Sequence, residues 1–302
     1  MSGSRDGSLP ARSPSLAAGP FALAAVTAIW GYSFLLVKDA VSVYPVFLFL
    51  AVRFTLAALL VAPFLLRRVL RAGRETILGG MAMGVALFTG YAFQTLGLLW
   101  TTAAHSGFIT GLFVVLTPLF SALLTRKFPR ADVVAAVSLA TAGLAALSLQ
   151  GTWSGTGLGD LLSFCCAAVY AVHLLVTSHM ARRYDTGALV LTQIATVAGL
   201  AWLFSLPRLG RIWPVPKEAV VGIAVTAVFA TALAYWVQTA FQARVSAVQT
   251  AIIFTMEPVF AGLFAVLLGG ERLGARGLLG GGLIVAAMLL GQTAEARRPQ
   301  SP

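Results

Sequence analysis

Charged residues are scarce in this chain. They make up 10% of its 302 residues, while 59% are hydrophobic; soluble domains carry about 25% charge. Mean hydropathy is +0.89. One soluble core does not hide this much apolar surface, so lipid is the expected solvent. Cysteine is nearly absent. Cys165 and Cys166 are adjacent within one apolar run, which gives neither a disulfide framework nor a thiolate metal site. Histidine occurs only as His105, His173 and His179, without acidic or cysteine companions at ligand spacing, and this excludes a zinc-type site. There is no H-E-x-x-H, no Walker loop and no clustered acid pair; Asp160 and Asp185 lie apart at span ends. Neither an enzyme nor a cofactor is expected.

Acidic residues are few as well, and the net charge is +11. The basic residues sit in short clusters between apolar runs. That is the pattern of membrane topology, not of nucleic-acid binding. Residues 1–18, rich in Ser, Gly, Pro and Arg, have no apolar core and read as a disordered tail, not a signal peptide. Residues 293–302 read as a second short tail.

What the chain does have is long apolar runs. A helix needs about 20 apolar residues to cross the hydrocarbon core. Ten runs qualify, at about 20–38, 45–66, 77–99, 103–125, 132–149, 159–181, 188–206, 219–241, 246–269 and 274–292. None alternates as a lipid-facing barrel strand would. The expected fold is an all-α integral membrane protein. With both tails on one side, fourteen Lys and Arg fall on that side and six on the other, and Arg53 lies within a span. Both termini are therefore expected in the cytoplasm. The loop 207–218, with three basic residues on the predicted outside, dissents.

The pattern occurs twice. At a shift of 140 residues, Gly19, Trp30, Arg53, Ser106 and Pro118 fall on Gly159, Tyr170, Gln193, Ser246 and Pro258. Tyr91, Gln94 and Thr95 recur as Tyr235, Gln238 and Thr239 at a shift of 144. Five spans per half is an odd number, so the repeats 20–149 and 159–292 should be inverted, a plan of secondary transporters whose site lies mid-membrane between the halves. Pro118 and Pro258 each remove a backbone hydrogen bond and should kink or open the fourth and ninth spans. Paired interruptions of this kind point to a binding site; the alternative is that they only shape the bundle.

The ten spans, the repeat, W-G-Y-S-F at Trp30 to Phe34, Arg53, and E-P-V-F-A then G-E-R-L (Glu257 to Ala261, Gly270 to Leu273) together resemble the EamA family of the drug/metabolite transporter superfamily. The resemblance covers about residues 20–292. It implies a carrier of the bacterial inner membrane with a central cavity between the repeats, exporting amino acids and related metabolites. One feature departs from the family. The G-E that usually closes the fourth span is replaced by Arg126-Lys127-Phe128-Pro129.

Several side chains are candidates for the solute. Gln94 and Gln238 are costly in hydrocarbon without partners, and each shares a helix face with its Tyr, Tyr91 or Tyr235. Trp30, Phe108 and Tyr170 recur with them at matched depths and suit an amphipathic wall. Gln249 lies in the ninth span before the proline. His173 is placed to bond a solute or shuttle a proton, or to be satisfied by a neighbouring helix. Arg53 reads as an anchor for a carboxylate or a gate, or as an arginine held by backbone carbonyls or snorkelling to the interface. Glu257 is a protonatable group for coupling, or a partnered buried acid. Trp100, Trp153 and Trp213 read as interface anchors. Gly277 and Gly281 form a G-x-x-x-G that serves packing within the bundle or a homodimer face.

These residues point to a secondary transporter of amino acids or similar small amphipathic metabolites, working by alternating access. Its partners are a small-molecule solute and the bilayer. A carrier of nucleotide sugars or organic phosphates would need two or more Lys or Arg on the cavity. A non-transporting membrane scaffold would need an exposed binding domain. A channel would need rings of charge or a carbonyl filter.

Overall fold

The computed structural model describes residues 18–97, 99–101, 103–148, 157–269 and 274–296. The tails before 18 and after 296, Trp153 and the 270–273 part of the G-E-R-L run lie outside the described residues. Among those described, the chain forms helices and no strands. The first half contains α1 (Ala18–Val43), α2 (Val46–Arg71), α3 (Arg74–Gly97), α4 (Ala103–Gly111), α5 (Phe113–Thr125) and α6 (Ala131–Ser148). The second half begins with α7 (Gly157–Ala181) and α8 (Thr186–Ser205), followed by a 3-10 turn, Leu206–Arg211. Next come α9 (Lys217–Val225), a π-helix (Thr226–Leu233) and α10 (Ala234–Gln242), one continuous run. Last are α11 (Ala247–Phe254), α12 (Met256–Gly269) and α13 (Ala275–Ala296).

Local chemistry sets several of these boundaries. Pro45 and Pro216 precede α2 and α9, where a missing N–H costs nothing. Asp185 caps α8 by accepting from the Ala188 N–H, and Ser246 caps α11 by accepting from that of Gln249. Among the described residues, five runs are long and apolar enough to cross a membrane: Val46–Arg71, Arg74–Gly97, Gly157–Ala181, Thr186–Arg211 and Lys217–Gln242. The apolar helices Ile109–Thr125, Ala131–Ala146, Ala247–Phe260 and Ala275–Gly291 are shorter.

The interruptions in the fourth and ninth spans do not fall at the prolines. The first break is at Leu112, with φ −62° and ψ −7°. The second is at Thr255, with φ −65° and ψ −9°. Both breaks have the same tightened 3-10-like geometry, with N–H groups bonded three residues back. Pro118 sits inside α5. Pro258 sits in the first turn of α12, where proline is tolerated.

Polarity runs inside out. Phe64, Leu123, Leu124, Leu267 and Leu278 are exposed, while Arg53, His173, Gln193, Gln238 and Gln242 are buried. A bilayer, not water, makes that arrangement favourable.

The two sequence halves are not two packing units. α2 packs on α8, α3 on α7 and α8, and α6 on α13, so each of these contacts joins one half to the other. Gly143 marks the tightest point of the α6–α13 pair: a Cβ there would lie 2.7 Å from the Gly280 carbonyl oxygen. Small residues of α13 are thus used within the chain. Two large apolar cores result, with two small clusters beside them, one of Met83, Ala181 and Leu189 and one of Leu144, Met256 and Ile284. The first large core draws on α2, α3, α8, α9 and the π-helix, the other on α5, α6, α7, α11 and α13, and α1 contributes to both. Repeat-related contacts recur at opposite ends. A Cβ at Gly19 would meet Val245 at 3.2 Å, and one at Gly159 would meet Thr101 at 2.8 Å. At the end carrying the turns 72–73 and 182–185, Arg68 pairs with Asp185 at 3.0 Å. Nearby, the Tyr184 hydroxyl donates to Glu75 at 2.6 Å, which pushes its pKa above the ordinary tyrosine value.

Candidate functional site between the two cores

Two repeat-related aromatics, Trp30 on α1 and Tyr170 on α7, pack against both apolar cores. They mark a seam. Two more repeat mates, Tyr91 on α3 and Tyr235 on α10, both packed with the first core, share a hydrogen bond beside the seam, hydroxyl to hydroxyl, at 2.9 Å. Residues related by the repeat meet directly only near the axis that relates them, so this pair places the axis beside the seam.

Aromatic rings surround that point. Trp30 lies 5.7 Å from Tyr235 and 5.0 Å from Phe254, edge-on to the latter. Tyr91 is edge-on to Tyr170 at 6.2 Å and to Phe54 at 5.5 Å. Gly90 makes room for Tyr170, since a Cβ there would fall 2.2 Å from the ring. The Tyr170 hydroxyl donates to Gln94 Oε1 at 3.5 Å. Trp30, Tyr91, Gln94, Tyr170 and Tyr235 therefore come together as one group.

Arg53 adjoins the group but is closed off. It is 2% exposed. Its Nε donates to Thr231 Oγ1 at 2.8 Å, and its Nη2 lies 3.4 Å from both the Tyr91 hydroxyl and the Ala230 carbonyl. The guanidinium stands 5.4 Å from the Phe54 and Tyr91 rings, within cation–π range. The Ala230 carbonyl also accepts from Trp30 Nε1 at 2.9 Å. Ala230 and Thr231 both belong to the π-helix. A π turn displaces backbone carbonyls from the α-helical ladder and is frequent at functional sites. Sequence reasoning missed these two partners, because nothing in T-A-V-F-A-T-A-L marks a π-helix.

The other polar candidates adjoin this group, with the His173 ring edge-on to Tyr235 at 6.4 Å. His173 Nε2 meets Gln193 Oε1 at 3.3 Å and Thr177 Oγ1 at 3.4 Å, and Gln193 Nε2 donates to Thr239 at 3.3 Å. Gln238 donates to Gln242, whose Nε2 goes on to the Leu174 carbonyl and Ser178. Gln238 Oε1 is buried without a partner among the described residues. Gln249 is buried on α11. Phe108 is on α4, its side chain outside the described residues. Glu257, on the first turn of α12, lies within electrostatic reach of Cys166, Tyr170 and Tyr235. No group of three metal-binding side chains occurs among the described residues.

A second feature opens to the side. An apolar groove of about 440 Å³ lies between α1, the π-helix and α12, with Ile29, Tyr32, Phe229 and Phe264 in its walls. Its polar atoms are already used, Ser33 Oγ by the Trp30 carbonyl and the Ala230 carbonyl by Trp30.

The model of the EamA-like transporter family matches residues 17–149 and again residues 157–291. The chain belongs to this family. The family model thus matches the chain twice, once in each half. An uncharacterized transporter of Archaeoglobus fulgidus is 34% identical over 269 residues, covering 89% of this chain and 83% of that one. A second uncharacterized transporter of the same organism is 28% identical over 280 residues, covering 89% and 95%. A solved crystal structure superposes with a TM-score of 0.79 at 22% identity, covering 94% of this chain and 100% of the other; at that identity it speaks for the fold alone. This EamA-like protein is a helical multi-pass membrane protein of a transporter family.

Proposed function

We propose that this EamA-like protein is a secondary transporter of the drug/metabolite type. It crosses the bilayer ten times as two inverted five-span repeats, with both termini in the cytoplasm of a bacterial cell. It carries amino acids or similar small amphipathic metabolites, exporting them or letting them pass. The observation that carries the reading is the meeting of Tyr91 and Tyr235 on the repeat axis, with Trp30, Gln94 and Tyr170 beside them. An aromatic wall with a few fixed polar groups is the usual make-up of a small-molecule site. Alternating access then works along the seam between the two cores, which opens first at one end and then at the other. The moving bodies are the two cores, each drawing helices from both repeats.

Arg53 speaks against a phosphate carrier. Its guanidinium is spent on Thr231, Tyr91 and Ala230, while a phosphate clamp needs free cations.

The test is uptake of a labelled panel of amino acids and of the amines with the same side chains into proteoliposomes, with and without a pH gradient. Saturable wild-type flux is expected, falling at least tenfold in Gln94→Ala with the protein still monodisperse. Absence of saturable flux from folded wild type would remove the reading, and so would a Gln94→Ala variant that transports normally.

A further inference from the structure

The two halves differ at one matched position. Thr117 in the first half corresponds to Glu257 in the second. The Thr117 hydroxyl is satisfied by its own helix, donating to the Phe113 carbonyl at 2.7 Å. Glu257, by contrast, has neither a hydrogen bond nor an ion pair among the described residues. It is only partly buried. The other charged group of the interior, Arg53, is saturated by partners of its own.

The surroundings of Glu257 suit a positive charge. The carboxylate sits on the first turn of α12. Pro258 has no N–H, so the carbonyl of Phe254 lacks its helical donor. The break at Thr255 thus brings a carboxylate close to a carbonyl that has lost its helical donor. Phe254, three residues before Glu257, holds Trp30 edge-on at 5.0 Å, and Trp30 lies 5.7 Å from Tyr235. Tyr170 and Tyr235 are both within electrostatic reach of the carboxylate. Aromatic faces around an anion form a recurring site for organic cations. Among the described residues, the Arg53 guanidinium beside the aromatic group is already engaged.

We propose that Glu257 is the counter-ion for the ammonium group of an amphipathic amine, whose apolar body lies against Trp30, Tyr170 and Tyr235. This rests on the reading of the seam as the solute site, and it narrows the solute to amines without an α-carboxylate. An ammonium has three donors and no acceptors, which matches a site offering a carboxylate, a carbonyl and hydroxyls. A buried carboxylate left without its cation is costly, so bound amine should stabilise the fold.

The full chain in detergent tests this by thermal shift and calorimetry with four probes of one shape: phenethylamine, phenylalanine, phenylpropionate and phenylethanol. Phenethylamine should bind saturably and raise Tm, at least tenfold tighter than each of the others. Glu257→Gln should weaken the amine at least tenfold, and Glu257→Asp, which keeps the charge, should retain part of the affinity. If Glu257→Gln does not fold, Glu257→Asp carries the test, because a shortened carboxylate must change amine affinity and leave phenylethanol unchanged. Equal binding of the four probes, or unchanged amine affinity in the substituted protein, overturns the proposal. Failure of the transport reading looks different: amine binds through Glu257, yet no probe crosses proteoliposomes.

Discussion

At the scale of single residues, Arg53 shows how a costly group is kept in a membrane. It is held by a hydroxyl, a phenol and a carbonyl from two different helices, and two aromatic faces stand beside it. Hydrogen bonds to a charged group contribute about 1.5–3 kcal/mol each. Thr231→Val, of nearly equal shape, should therefore cost about 2 kcal/mol, read as a lower unfolding midpoint in detergent. Arg53→Ala should cost more, because it removes all of these bonds and leaves the Thr231 hydroxyl without its donor. An unchanged midpoint in Thr231→Val would mean that Arg53 is not anchored there. The sequence singled out Arg53 because one arginine inside an apolar run is conspicuous. Its partners were not legible, since a threonine and an alanine in such a run look like packing. The Tyr and Gln pairs were legible as a repeat. That Tyr235 turns to Tyr91 while Gln238 turns to Gln242 was not, because the shared helix face bounds direction without choosing a partner.

At the scale of elements, the prolines announced two interrupted spans but not where they break. The geometry puts the breaks at Leu112 and Thr255, residues with no breaker chemistry of their own. The π-helix was invisible for the same reason: it rests on tertiary bonds from Trp30 and Arg53, not on local preference. It also makes a sharp prediction. Deleting Val228, on the exposed side of the π-helix, removes the extra residue and restores α-helical register. The carbonyl of Ala230 and the hydroxyl of Thr231 then turn away from Trp30 and Arg53. Transport should fall at least tenfold while the protein stays folded; undiminished flux would show that the π turn has no part in it. The α6–α13 pair offers a control of the opposite kind. Gly143→Ala forces a methyl against the Gly280 backbone, and overpacking of this sort costs about 1–3 kcal/mol. Thermal unfolding should report that loss.

At the scale of the whole molecule, the repeat in the sequence and the bodies in the structure are different partitions. The sequence divides the chain near residue 150, and the family model matches the same two parts. The packing divides it into two cores that each take helices from both parts. Hydrophobic periodicity made the spans and the duplication readable. It carried no information on which spans pack together, since lipid-facing and helix-facing surfaces are both apolar. The seam between the cores is where the aromatic and polar candidates meet, so the account requires the cores to move along it. Thr101 and Gly159 offer a lock on that motion, because a Cβ at Gly159 would lie 2.8 Å from the Thr101 Cβ. Disulfides join Cβ atoms about 3.5–4.5 Å apart, so a cysteine pair there bonds with a small outward shift. The decisive measurement is solute flux in proteoliposomes of Thr101→Cys/Gly159→Cys, in a background with Cys165→Ala and Cys166→Ala. Oxidation should stop flux at least tenfold and reductant should restore it, with cross-linking followed by loss of thiol labelling. Full cross-linking with undiminished flux would contradict alternating access along this seam.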